Sequence, residues 1–111
     1  LVIYIDNLVI CNLNDCQFNK KSELNNLYKY IGDVDILLSQ FSYAAWKGGI
    51  ENISWRKSAA AEKLETLKIQ SEKLNAKILI PFASFTWFSN SENFYLNDSV
   101  NKPIDIITYF N

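Results

Sequence analysis

Histidine and methionine are absent from this 111-residue chain, and cysteine, proline and glycine number only two, two and three. Without imidazole, no Ser-His or Cys-His nucleophile can be assembled, and the commonest metal ligand is missing. Cys11 and Cys16, with four residues between them, match neither a zinc knuckle nor a CxxC redox pair, and are expected as buried, reduced thiols. An excess of charge of one sign is missing too. Eleven Lys and Arg stand against 12 Asp and Glu, a net charge of −1, which leaves no electrostatic footprint for nucleic acid or an anionic membrane. No apolar run approaches the roughly 20 residues that span a bilayer, and no basic leader with a cleavage site opens the chain. A cytoplasmic protein with no membrane and no nucleic-acid partner is expected. Neither GxGxxG nor GxxxxGKS/T occurs, so a dinucleotide or nucleoside-triphosphate site has no support.

What is present is apolar: 49% of the residues are hydrophobic and 14% aromatic, enough for a real core. Residues 1–111 have the size of a single domain or half-domain. Leu1–Ile5 and Leu8–Leu13 are apolar runs around Asp6-Asn7, residues that tolerate the positive φ of a hairpin turn. Both runs are apolar at nearly every position, which predicts an interior hairpin with both sheet faces covered. Leu24, Leu27, Tyr28 and Ile31 follow at helical spacing, with Gly32 as the stop. Residues 35–41 predict a third strand, and residues 42–54, with Tyr43, Trp46 and Gly48-Gly49, a loop. Residues 55–74 form the clearest helix, its apolar face Ala60, Leu64, Leu67, Ser71 and Leu74. Asn75 ends it in the left-handed conformation, and residues 77–80 make a short strand stopped by Pro81. Residues 82–94 are an aromatic loop or pocket wall, and Pro103 opens a last helix through Tyr109. The order predicts an α/β layer of buried strands between covering helices. The helices suffice for one sheet face only, so the other is expected to need a partner, and Leu1 begins inside a strand pattern as if residues upstream complete it.

Three landmarks then stand in sequence: Asn14-Asp15 after the hairpin, Val34-Asp35-Ile36-Leu37-Leu38 after the short helix, and Ile78-Leu79-Ile80-Pro81 after the long one. This resembles the second half of hydrolases of the metallo-β-lactamase superfamily. Through Gln40-Phe41-Ser42-Tyr43-Ala44 and Ile80-Pro81-Phe82-Ala83-Ser84 it is most similar to the branch of ascorbate-lactonase-like and sialic-acid-hydroxylase-like members. The resemblance implies the C-terminal half of a four-layer α/β/β/α sandwich, whose HxHxDH metal motif lies in the other half. It implies a divalent metal (zinc, iron or manganese) in the intact parent protein and none in the isolated chain. It also implies that Asp15 is a bridging metal ligand, since a carboxylate can hold two ions close enough to share a hydroxide. The alternative is that Asp15 caps the turn of Asn14-Asp15-Cys16. Family members end their metal set with a histidine shortly after the Ile-Pro dipeptide; Phe82-Ala83-Ser84 stand there instead, which implies an altered or single-metal site.

Gln40, Ser42 and Tyr43 after the third strand, with Ser84 after the last, are candidates to orient a small-molecule substrate. For the loop after the third strand the plainer account is packing by Tyr43 and Trp46 and backbone bonding by Ser42. Asp33 and Asp35 are either an acid–base pair or a polar entry to a buried strand. Two functions compete. One is the C-terminal part of a metal-dependent hydrolase acting on an ester, lactone or phosphoester, inactive as a fragment and partnered by the missing N-terminal half-domain or by self-association. The other is a non-catalytic α/β module that binds a ligand or partner through the loops around Tyr43, Trp46, Phe85 and Trp87.

Overall fold

Asp6-Asn7 turns the chain back on itself, with Asp6 at φ 51°, and the flanking runs pair antiparallel as β1 (Val2–Ile5) and β2 (Leu8–Asn12). Asp tolerates this left-handed backbone because its short polar side chain can bond locally. The computed structural model, which describes residues 1–16 and 18–111, continues with α1 (Lys21–Ile31), β3 (Ile36–Ser39), α2 (Ile53–Lys73) and β4 (Ile78–Pro81). A 3₁₀ turn (Phe94–Asp98), not foreseen from sequence, precedes α3 (Pro103–Phe110). The result is a mixed α/β fold: one four-stranded sheet in the order β1-β2-β3-β4, antiparallel between β1 and β2 and parallel thereafter.

Two compact units make up the chain: Leu1–Gln40 with Thr66–Ala83, and Phe41–Glu65 with Ser84–Asn111. The first holds the sheet. α1 closes where Gly32, at φ 72°, donates its N–H to Tyr28 O at 2.8 Å, a conformation glycine adopts without a Cβ penalty. Asn75 ends α2 at φ 48°. The registers place Val2, Cys11, Leu37 and Leu79 on one sheet face, and there Cys11, Leu13, Leu24, Val34, Leu37 and Leu74 form the core. Ser39 and Gln70 enter this core as a pair, Ser39 Oγ donating to Gln70 Oε1 at 2.6 Å while Gln70 Nε2 donates to Phe18 O at 2.9 Å.

The opposite sheet face aligns Ile3, Ile5, Leu8, Ile10, Ile36, Leu38, Ile78 and Ile80. It is not covered: Ile3 is 39% exposed, Ile5 50%, Leu8 48%, Ile78 54% and Ile80 40%. The expectation of an interior hairpin therefore fails. β1 is an edge strand, because β3 pairs with the free side of β2 and none of the described residues pairs with the far side of β1. The runs are apolar at nearly every position since one set of side chains faces the core and the alternate set forms the open face.

The second unit is organised around Tyr43, Ala59, Ala60, Phe88, Leu96 and Val100. Its most buried polar residue is Arg56, with no exposed surface. Nε and Nη2 donate to Asp98 at 3.0 and 2.8 Å, Nη1 donates to Gly49 O at 2.7 Å, and Nη2 donates to Ile50 O at 2.9 Å. Asn101 Nδ2 similarly donates to Phe41 O and Ala60 O, both at 2.7 Å. The long helix, with Leu74 just past its end, thus buries Arg56, Ala60, Leu64, Leu67, Gln70 and Leu74, a stripe at helical spacing into which two polar residues are set. The helix begins at Ile53, two residues before the predicted start.

Candidate functional site

The parallel strands β2, β3 and β4 run the same way, so the residues that follow them, Asp15, Gln40 and Ala83, leave the carboxyl ends of the strands. In open α/β sheets this edge is the usual place for a ligand. After β2 the chain makes a tight turn: Leu13 N–H donates to Leu38 O at 2.9 Å, Asn14 N–H to Asn12 Oδ1 at 2.8 Å, and Cys16 N–H to Leu13 O at 3.0 Å. Asp15 sits in that turn at φ 59°. Its Oδ1 accepts Gln40 Nε2 at 2.9 Å and its Oδ2 accepts Asn14 Nδ2 at 3.1 Å. The structure thus joins the predicted metal residue to one predicted substrate residue. A carboxylate oxygen has two lone pairs, so each oxygen keeps acceptor capacity beyond its amide partner, and the side chain is exposed.

Asp15 alone does not make a metal site. Among the described residues no group of three or more His, Cys, Asp or Glu is placed to hold an ion, and a stable site needs about three protein ligands. Ala83, where the resemblance implies a histidine nearby, has φ 47°. An unbranched methyl offers no ligand atom, and a non-glycine residue in the left-handed region carries backbone strain.

Ser42, Tyr43 and Ser84 lie in the second unit. Ser84 Oγ accepts the N–H groups of Phe41 and Ser42 at 2.9 and 3.1 Å, fixing the main chain there while its own hydroxyl proton stays available for donation. Tyr43 is 1% exposed and donates its hydroxyl to Leu96 O at 2.6 Å. Burial first, then the nearby Asp98 carboxylate, pushes its phenol up to about 12, so it acts as a neutral donor. Ser42 is buried and its Oγ has no partner among the described residues. Sequence reasoning missed Arg56, Gln70, Asp98 and Asn101. For the first two the signal was present: Arg56 lies four residues before Ala60 and Gln70 three after Leu67, both on the apolar stripe.

The Asp33 and Asp35 carboxylates are engaged at the entry to β3. Asp33 Oδ1 accepts Asn75 Nδ2 and Tyr28 OH, both at 2.8 Å, and these bonds, Asn75's first, hold it below its ordinary range. Asp35 binds Lys77 Nζ at 2.6 Å and Val9 N–H at 2.8 Å, and Lys77 first, then the amide, lowers it as well. An acid–base pair needs its two values pushed apart; here both move down, as a structural polar entry requires. Cys11 is buried and free, its thiol pushed up by burial. Cys16, expected to be buried, is exposed. The turn at Asn14-Asp15 carries it out of the core just past the end of β2.

Comparison with family models, with curated proteins and with solved structures gives no match. No helix of the described residues is long and apolar enough to cross a membrane.

Proposed function

We propose that this chain is the C-terminal α/β layer of a cytoplasmic metal-dependent hydrolase of the metallo-β-lactamase type, inactive by itself. The observation that carries the proposal is the open sheet face: eight aliphatic side chains from all four strands, aligned by register and left exposed or half-buried. A sheet face that is aliphatic but for Asn12 at one end of β2 is the chemistry of sheet-on-sheet packing, in which a second sheet lies about 10 Å away and interdigitates with the first. In that arrangement the second sheet belongs to the N-terminal half-domain. Asp15 is then this layer's contribution to the metal set, at the strand edge where α/β ligands bind, with Gln40 orienting its carboxylate. The residues present do not form a metal site by themselves, so the remaining ligands come from the other half.

Two measurements test this. Sequence of the parent gene ahead of Leu1 is expected to encode an HxHxDH segment; its absence there would end the hydrolase reading. In the full-length parent, Asp15→Asn is expected to lower hydrolysis of ester, lactone and phosphoester substrates at least tenfold, the worth of about 1.4 kcal/mol in transition-state stabilisation, with an unchanged melting temperature. Unchanged turnover with a lowered melting temperature would make Asp15 a turn cap and nothing more.

A further inference from the structure

A pocket of about 240 Å³ lies wholly within the second unit, with Trp46, Phe88, Tyr95, Glu92 and Asn93 among its walls. Two of its aromatic walls, Phe88 and Tyr95, are held in place by the surrounding structure. Phe88 stacks with Tyr43 and Phe85, ring centroids 6.4 and 5.3 Å apart. Asn97 clasps the Phe88 backbone, Oδ1 accepting its N–H and Nδ2 donating to its carbonyl, both at 2.8 Å. Tyr95 is anchored by its hydroxyl, which donates to Gly48 O at 2.8 Å, and Trp46 meets Trp55 edge to face at 6.0 Å. Walls held this way lose little freedom on binding, which removes one of the costs of association.

The polar lining of the pocket is Glu92 with the amides of Asn90 and Asn93. Glu92 is its only charged lining residue, and no cation among the described residues forms a salt bridge with it. Its backbone N–H is taken by Asn90 Oδ1 at 2.9 Å, and the residue is exposed. Asn93 keeps its Oδ1 buried, out of reach of the pocket space and without a hydrogen-bond partner among the described residues, so the acceptor that the pocket presents is the Glu92 carboxylate. Tyr95 already accepts a cation on its ring, with Arg56 Cζ 5.0 Å from the centroid. Aromatic faces carry negative potential, and the Glu92 carboxylate is the charge in the lining.

We infer that this pocket binds a small organic ammonium ion, its N–H groups directed to Glu92 and its carbon skeleton against Trp46, Phe88 and Tyr95. The volume is below the span of drug-sized sites, roughly 300–1,000 Å³, which favours a primary amine of a few carbons over a peptide. The inference is independent of the hydrolase proposal, since none of these residues belongs to the sheet face or to the Asp15 turn.

The test is an NMR titration of the isotope-labelled chain with isobutylammonium and, in parallel, with its neutral counterpart isobutyl alcohol. Saturable shifts of the Trp46 indole N–H and the Glu92 and Tyr95 amides are expected with the ammonium alone. Glu92→Gln, an exposed and nearly isosteric change, should weaken binding roughly tenfold or more, as loss of a charged hydrogen bond does; Glu62→Gln, on the exposed side of α2, should leave it unchanged. Equal binding of the alcohol, unaltered affinity in Glu92→Gln, or no saturable shift with either probe would each overturn the assignment.

Discussion

Arg56 carries a full positive charge with no exposed surface, and its guanidinium is matched by a carboxylate and two carbonyl oxygens. A buried charge is tolerated only when so matched, because removal of one partner leaves the others unpaired in a low dielectric. Arg56→Ala is therefore expected to cost about 3–5 kcal/mol, read as a lower urea midpoint at constant slope. Arg56→Lys should recover little of this, since a point charge cannot reproduce a planar fork of donors. The partner gives a pH dependence of definite sign. Asp98 is held below its ordinary range, chiefly by the Arg56 bond. The unfolded chain then binds the proton more readily than the folded one, so the stabilisation is complete above the unfolded value, about pH 4, and is lost as pH falls through the depressed folded value. Urea titrations at successive acidic pH values should show that loss, and Asp98→Asn should flatten it.

At the scale of the element, the loop before α2 depends on its glycines and on the arginine that reads them. Gly48 has φ 76°, and a Cβ there would stand 2.5 Å from Asn52 Nδ2 and 2.8 Å from Asn52 Cβ. Its carbonyl accepts the Tyr95 hydroxyl, and the next two carbonyls accept Arg56. Gly48→Ala therefore meets both a left-handed backbone and a steric block, and a loss of about 1–2 kcal/mol is expected, with no change in helix content by circular dichroism. These elements were largely legible in sequence. The strands, α1, α2 and α3 follow from apolar period, Gly32, Asn75 and Pro103, each of which acts within one or two turns of itself. The 3₁₀ turn at Phe94–Asp98 was not legible, because residues 94–98 show no period of their own and are fixed by Tyr43 bonding to Leu96 O and Arg56 to Asp98.

For the whole molecule, the open sheet face dominates. Ile3, Ile5, Leu8, Ile78 and Ile80 alone are each at least 39% exposed, and soluble monomers tolerate contiguous apolar patches of only a few hundred Å². At micromolar concentration the isolated chain is expected to self-associate, with a light-scattering mass above its 12.8 kDa. Ile3→Lys combined with Ile78→Lys, at positions already exposed, should lower that mass toward the monomer while the far-ultraviolet spectrum stays the same. A wild-type chain that remains a monodisperse, cooperatively melting monomer would remove the ground for a missing sheet.

The sequence by itself determined the α/β class, the hairpin turn, the helix boundaries to within two residues and the two-sided apolar character of the strands, because period, turn residues and helix stops act over short distances along the chain. Only the tertiary structure decided that β1 is an edge, which residues make up the open face, and that Cys16 emerges from the core. It alone paired Asp15 with Gln40, Arg56 with Asp98 and Ser84 with the amides of Phe41 and Ser42. Each of those pairs joins residues 25 or more positions apart, and a hydrogen bond needs its donor and acceptor within about 3 Å, a coincidence set by strand order and helix packing rather than by any local pattern.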